Sequence, residues 1–405
     1  MSAVRLVAVG AGGGTDATLP AYAALVAAGV PVVGRVLVDE DEGALEHALT
    51  GDGGLAVVVA GPGGSAGDVV RRVIARVTST RLVLQDRMLA ALQEAYRRRD
   101  RPLPRRAERL ALLPQGASVW ATDDGDPAWL LETGRTAYVV LSPGAVAPAI
   151  ARSLVDVARV FAGARGVATR ILKTAGVTLD DVEERLAEWM AHTDAEVSVA
   201  TLPADGEVWV RLRARGATAE AAAAALERAE PRIAAALGGD CYGRDADTLE
   251  QVVGRMLVAR GLTVSVAESC TGGLLGHRLT NVAGSSAYFE RGVVVYSNRA
   301  KQELLGVPEA ILSAHGAVSA PCAEAMARGI CERSGSACGL AVTGIAGPDG
   351  GSPQKPVGTV FFGVAVSGQV TSRRFRFAGD RLAVKWQSAQ TALDLLRRSL
   401  GGVRP

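Results

Sequence analysis

Ala267-Glu268-Ser269-Cys270-Thr271-Gly272-Gly273 stands between an apolar run at residues 262–266 and a helix-patterned run at 274–279. Strand, then small polar residues and glycines, then helix is how a chain turns at the edge of an α/β sheet. The turn leaves main-chain N–H groups and the positive end of a helix dipole directed at whatever occupies it. A phosphate or an oxyanion suits such a corner, and Ser269, Cys270 and Thr271 place three candidate nucleophiles in it.

The pattern on either side extends this elbow into a domain. A helix at 248–259 precedes it. After it come a turn at Gly284-Ser285-Ser286-Ala287, a buried strand at 292–296 ending on Tyr296, a helix at 300–305, and a helix with Ser319 as N-cap that carries Glu324 and runs to about 333. A strand at 340–343, a loop at 344–356, an antiparallel pair at 359–366 and 370–377 around Ser367-Gly368, and a last helix at 381–400 complete the series. This predicts a three-layer α/β/α domain over residues 241–405.

Upstream, an apolar run at 4–9 ends in Gly10-Ala11-Gly12-Gly13-Gly14 and is followed by a helix at 17–28 and a strand at 30–38, a βαβ opening. A helix at 41–49, a buried parallel strand at 55–59 and a loop, Gly61-Pro62-Gly63-Gly64-Ser65-Ala66-Gly67, come next. That loop lies at the carboxyl end of its strand, where open α/β sheets bind ligands, but it lacks a partner lysine or carboxylate. Helix at 86–99, strand at 137–141 and helix at 145–161 close an α/β domain over 1–165, and Gly163-Ala164-Arg165-Gly166 marks its boundary. Residues 166–240 then read as a small α+β module: an amphipathic helix at 179–190 with Asp180 and Asp181 in its first turn, a half-exposed strand at 208–213, and an alanine-rich helix at 217–237.

Composition narrows the function classes. The 405 residues are 48% hydrophobic and 21% charged, with a formal charge of +2, which gives no general attraction to nucleic acid. The most basic stretch, 97–109, reads as a solvated helix end and loop, with no aromatic interleaving of the kind single-strand binders need. No apolar segment reaches the ~18–20 residues of a membrane span and no signal peptide is evident, so a cytoplasmic protein is expected. The five cysteines Cys241, Cys270, Cys322, Cys331 and Cys338 show no metal-ligand spacing, so neither disulfides nor structural zinc is expected. Of 44 basic residues only Lys173, Lys301, Lys355 and Lys385 are lysine, and Asn281 and Asn298 are the only asparagines. A chain that has used arginine almost everywhere keeps lysine where arginine cannot serve, and arginine cannot lose its proton.

A nucleophile at the elbow needs a base. His277, inside the helix after the elbow, and His315, in a loop beside Gly316, have no adjacent carboxylate to orient them. Tyr296-Ser297-Asn298-Arg299-Ala300-Lys301 offers a better partner, because a strand end and the next helix start can both face the elbow's edge of the sheet. Burial beside a phenol lowers a lysine towards the range of a working base, with Tyr296 placed to relay or hold the proton. Thr343-Gly344-Ile345-Ala346-Gly347-Pro348-Asp349-Gly350-Gly351-Ser352 is a third strand-end segment, whose glycines let amides approach a ligand, with Lys355 following.

Together with Gly284-Ser285-Ser286 and His315-Gly316-Ala317-Val318-Ser319, these segments closely resemble, in order, the C-terminal domain of the CinA (competence/damage-inducible) family, a nicotinamide mononucleotide amidohydrolase. The resemblance implies Ser269 as nucleophile, Lys301 as base and Tyr296 as proton relay or lysine partner. It implies a substrate site drawn from Cys270, Thr271, Gly272, Gly273, Ser285, Asn298, Thr343, Gly344, Gly347, Pro348, Asp349, Gly350, Lys355 and Arg381, with main-chain N–H groups serving the oxyanion and the 5′-phosphate. No cofactor or metal is implied for the amidase. Residues 1–240 are similar to the rest of a full-length family member, a molybdopterin-binding-like domain and a KH-like domain, and a homodimer is expected.

The first domain departs from the family pattern. Its Gly-Thr-Glu turn and Gly-Gly-Leu-Gly-Pro-Thr-x-Asp-Asp loop are replaced by Gly10-Ala11-Gly12-Gly13 and residues 60–68, which leaves Asp16 and Asp68 as the carboxylates for a divalent metal. That is too few oxygen ligands for the family's metal-assisted ADP-ribose pyrophosphatase chemistry. Three readings therefore stand on the sequence. The first is an amidase using Ser269 and Lys301, the second an amidase using Cys270 with His315. The third is a nucleotide-binding partner protein of competence or DNA damage response with no reaction of its own.

Overall fold

The computed structural model describes residues 3–10, 16–50, 53–60, 64–121, 126–144, 146–162, 166–191, 196–204 and 206–402. Residues 11–14 of the first glycine-rich turn, 61–63 of the loop at 61–67 and 163–165 of the expected boundary lie outside them. By internal packing the chain forms two compact units, residues 1–169 with 213–227 and residues 170–212 with 228–405.

The first unit runs β1 (Ala3–Val9), α1 (Leu19–Ala27), β2 (Val32–Val38), α2 (Glu42–Leu49), β3 (Gly54–Ala60), α3 (Gly64–Val77), β4 (Leu82–Leu84), α4 (Asp86–Arg97), β5 (Leu112–Pro114), β6 (Ser118–Trp120), β7 (Ala128–Thr133), β8 (Thr136–Leu141) and α5 (Pro148–Ala162). Its sheet has the order β2-β1-β3-β8-β7-β6, parallel from β2 to β8 and antiparallel beyond. Successive residues of β1 and β3 face opposite helix layers: Val7 and Val58 meet Leu45, Ile74 and Leu92, while Leu6 and Val57 meet Leu25 and Leu154. The loop expected to extend to Gly67 instead becomes helix at Gly64. Val69, Val70, Val73 and Ile74 form a buried stripe on that helix, and their burial outweighs the poor helix propensity of the glycines before them.

The middle of the chain carries β9 (Gly166–Ala175), α6 (Leu179–Met190), β10 (Val197–Ala204), β11 (Glu207–Gly216), α7 (Ala219–Leu237) and β12 (Cys241–Arg244), with sheet order β10-β11-β9-β12. Thr178 and Asp181 form a capping box that starts α6, and Val208, Val210, Leu212 and Ala214 give β11 its buried face.

The last segment contains α8 (Leu249–Ala259), β13 (Val264–Glu268), α9 (Leu274–Thr280), β14 (Phe289–Val294), α10 (Asn298–Leu305), α11 (Glu309–His315), α12 (Ala320–Ser334), β15 (Cys338–Gly344), β16 (Thr359–Val366), β17 (Gln369–Arg376) and α13 (Arg381–Gly401). Its sheet, β14-β13-β15-β16-β17, is parallel across β14, β13 and β15 and antiparallel across β16 and β17. Val266, Leu340 and Phe362 pack under α8, α9 and α13, whereas Ala267, Ala341 and Ala365 face α10, α11 and α12. This is the expected three-layer α/β/α arrangement. Small residues on the second face let α12 press onto the sheet. A Cβ at Gly363 would stand 2.1 Å from the Ala323 carbonyl oxygen, and one at Gly339 2.6 Å from that of Ala327.

Two local expectations are corrected. β14 ends at Val294 and is an edge strand with most residues exposed, so Tyr296 lies beyond it and is 61% exposed rather than ending a buried strand. Among the described residues only β13 pairs with β14, which makes it the edge of this sheet. His315 closes α11 rather than sitting in a loop. The five cysteines are free, and among the described residues no helix is long and apolar enough to cross a membrane.

Gly363→Ala is expected to lower stability by about 1–3 kcal/mol, read as a lower denaturant midpoint of the full chain. Gly34→Ala, where an added methyl meets nothing within 4 Å, is expected to shift it by less than about 0.5 kcal/mol.

Candidate active site

The parallel register of β13 with β14 and β15 brings the ends of three strands to one edge, and the elbow leaves β13 there. Ser269 is tied back by its N–H to the Val342 carbonyl (2.9 Å), and Gly272 N–H closes a turn onto the Ser269 carbonyl (3.1 Å). Gly272 and Gly273 have φ of 62° and 96°, the left-handed region in which glycine carries no steric penalty.

Glu268, the last residue of β13, is buried and turns its carboxylate under α9. It accepts from the N–H groups of Gly273 (3.0 Å), Leu275 (3.0 Å) and Gly276 (2.8 Å). The helix start that was expected to face a ligand is therefore taken up by the protein's own carboxylate, and Gly273 is withdrawn as a donor. The N–H of Thr271 has no acceptor among the described residues, and that of Cys270 meets only its own sulfur. Thr271 Oγ1 is likewise buried without a partner.

Lys301 enters from α10, which Ser297 starts by accepting from Ala300 N–H. Its side chain is 1% exposed, and Nζ lies 3.2 Å from Ser269 Oγ, with Ser269 itself 8% exposed. The Val295 carbonyl (2.8 Å) and the Tyr296 carbonyl (3.3 Å) complete the contacts of Nζ. Burial pushes the Lys301 amine below its ordinary range, and only the weak counter-pull of the Cys322 and Cys270 thiols opposes it. The Cys270 thiol is pushed up to about 12 by burial, so it stays protonated at neutral pH.

The expected role of Tyr296 is corrected in kind. Its main-chain carbonyl, not its phenol, meets Lys301, and the hydroxyl accepts from Arg381 Nη2 (3.0 Å). Arg381 Nη1 donates to the Gly347 carbonyl (2.8 Å), so this first residue of α13 ties the segment after β14 to the loop after β15. Thr343 Oγ1 donates to the Ala317 carbonyl and Lys355 Nζ to the His315 carbonyl (2.9 Å), which fastens that loop to the 315–319 segment. Gly344 is required by space, since a Cβ there would lie 2.7 Å from Val360 Cγ2, and a Cβ at Gly347 would lie 2.6 Å from Val357 Cγ1. Pro348, Asp349 and Gly350 lie exposed further along the loop, and Asn298 is exposed at the start of α10. Ser285 does not reach the site. It precedes β14, at the amino edge of the parallel strands, opposite the elbow. His277 meets Asn281 on α9, and His315 gives the site only its carbonyl, through Lys355.

The curated relatives bear on this arrangement at full length. A protein of Moorella thermoacetica with a competence-damage inducible name is 40% identical over 383 residues, 93% of this chain and 92% of its own length. The chain belongs to the CinA family. A CinA-like protein of Geobacter sulfurreducens is 39% identical over 389 residues, 93% of each chain. The CinA C-terminal domain matches residues 246–400, and the damage-inducible protein CinA KH domain matches residues 169–243. Among solved structures, a CinA superfamily protein of Klebsiella pneumoniae is 38% identical over 38% of this chain and 99% of that one, with a TM-score of 0.37. A competence/damage-inducible protein of Agrobacterium tumefaciens is 42% identical over 38% and 97%, with a TM-score of 0.36.

In the first unit of this CinA-family chain, the carboxylates left for a divalent metal are engaged by arginines: Asp16 by Arg35, and Asp68 by Arg71 and by Arg109 (3.1 Å). Among the described residues no group of three or more His, Cys, Asp or Glu side chains is arranged to hold a metal ion. Among the described residues, those present do not fit a metal there.

Glu268 had no assigned role in the sequence, because only the fold shows its carboxylate turned under α9. Removing it in Glu268→Ala orphans three N–H groups and is expected to cost about 3 kcal/mol, read as a fall in the thermal or denaturant midpoint.

Proposed function

We propose that the elbow of this chain catalyses the hydrolysis of the carboxamide of nicotinamide mononucleotide to nicotinate mononucleotide and ammonia. The observation that carries this reading is the 3.2 Å approach of Lys301 Nζ to Ser269 Oγ inside a buried site. A neutral amine has two N–H bonds and one lone pair. The Val295 and Tyr296 carbonyls take the two N–H bonds, which turns the lone pair towards the serine hydroxyl.

Ser269 Oγ attacks the carboxamide carbon as its proton passes to Lys301 Nζ. The oxyanion of the tetrahedral intermediate is met by the N–H groups of Cys270 and Thr271, neither of which has a main-chain acceptor among the described residues. Lys301 returns the proton to the amide nitrogen, ammonia leaves, and an ester of nicotinate mononucleotide remains on Ser269. Water attacks that ester with Lys301 again taking its proton, and the proton passes back to Ser269 as the carboxylate product departs. Membership of the CinA family supports the reading, and the protonated Cys270 thiol weighs against a cysteine nucleophile.

Ammonia release from nicotinamide mononucleotide by the full chain tests the proposal directly; no release would sink it. Ser269→Ala and Lys301→Arg are each expected to lower kcat by about 10²- to 10⁴-fold, while Cys270→Ala keeps most of it. Arginine keeps the charge but cannot act as a base, so full activity in Lys301→Arg excludes this mechanism. Burial lowers Lys301 from 10.5, so the free amine forms at lower pH than usual. The rate is therefore expected to rise with pH along a limb whose midpoint lies below 10.5, and a limb at or above that value contradicts the assignment.

A further inference from the structure

A cleft of about 520 Å³ opens directly beside the elbow, lined by Leu274 at the start of α9, by Leu382, Ala383, Lys385, Trp386 and Gln387 of α13, and by Gly206 from the turn between β10 and β11. Lys385 Nζ lies 3.5 Å from where a Cβ of Gly272 would stand. Gly272 is bonded across a tight turn to Ser269, and such turns keep their ends within about 7 Å. Lys385 is half-buried and has no hydrogen-bond or ion-pair partner among the described residues. Two other basic side chains considered for the site are engaged: Arg381 by Gly347 and Tyr296, and Lys355 by the His315 carbonyl.

The charged groups behind the walls around Lys385 have partners of their own, although Arg278 Nε and Nη1 are buried without a hydrogen-bond acceptor among the described residues. Arg278 stacks on the Trp386 ring at 4.7 Å and pairs with Glu250 (2.7 Å). Glu207, next to Gly206, accepts from the Tyr242 hydroxyl (2.7 Å) and from Gln390 Nε2. The cleft therefore joins a lysine without a partner among the described residues to apolar walls, beside the turn that carries Ser269.

We infer that Lys385 is the anchor for the 5′-phosphate of the substrate, and that the β10–β11 turn walls the same subsite at Gly206. This rests on the amidase reading above and deepens it, because it explains selection of a nucleotide over a nucleoside. A phosphate dianion on a partly desolvated ammonium is a charge-assisted interaction, and removing it is felt as weaker binding of the phosphorylated substrate alone.

The test compares nicotinamide mononucleotide with nicotinamide riboside on the full chain. Lys385→Met is expected to lower kcat/KM for the mononucleotide about 10- to 100-fold, mainly through KM, and to leave kcat/KM for the riboside within about threefold. Lys385→Arg is expected to restore most of the loss. Equal losses on both substrates, or none on the mononucleotide, overturn the assignment. If the unmodified chain deamidates neither compound, the amidase reading fails, and titration calorimetry with ribose 5-phosphate still decides the subsite. Binding that Lys385→Met abolishes supports it, and binding unchanged by Lys385→Met, or no binding to the unmodified chain, overturns it.

Discussion

A lysine amine held almost wholly out of water, with no carboxylate beside it, governs the organisation of the C-terminal segment. Lys301 is among the largest fully buried side chains of the described residues, and its hydrogen-bond partners there are two main-chain carbonyls and the Ser269 hydroxyl. Burying a cation against neutral acceptors is unfavourable, and the group answers by surrendering its proton more readily. The same placement that makes lysine a poor cation suits it to the role of base in the amidase proposed above, which arginine could not fill. A chain with 44 basic residues and four lysines has kept one of them here.

The surroundings hold that geometry. Glu268 ends β13 and caps α9, which fixes the direction in which the elbow leaves the sheet. Ser297 starts α10 and so sets the position of Lys301 along it. Arg381 joins the Tyr296 hydroxyl to the Gly347 carbonyl, which draws the ends of β14 and β15 together from the start of α13. The glycines at 339, 344 and 363 permit the close approaches on which that layering depends. Each is a local condition, yet all act on the separation of two atoms.

Much of this was legible before any coordinates. The two strand-patterned runs around Ser367-Gly368, whose φ values of 50° and 85° suit a two-residue hairpin, marked an antiparallel pair. The elbow, the lysine and the 344–356 loop were visible because strand ends punctuated by glycine and small polar residues carry a strong local signature. What stayed hidden depends on non-local facts. β4, β5 and β6 span three residues each, too short for a period to show. The edge position of β14 follows from strand order, and with it the exposure of Tyr296. Ser285 fell on the wrong edge because a parallel crossover sends the chain back to the amino ends of the strands. The use of the α9 amides by Glu268 needed the side chain's direction, which no spacing gives.

The scarcity of lysine also makes the central claim open to direct observation. Selective ¹³C labelling of lysine in the full chain should yield only four side-chain Cε signals to follow against pH. One signal, absent from Lys301→Met, is expected to titrate well below the ordinary lysine value of roughly 10.4, while the chain remains folded. If the Lys301 signal instead titrates at or above that value, the amine beside Ser269 is a cation at working pH and the account of the site is wrong.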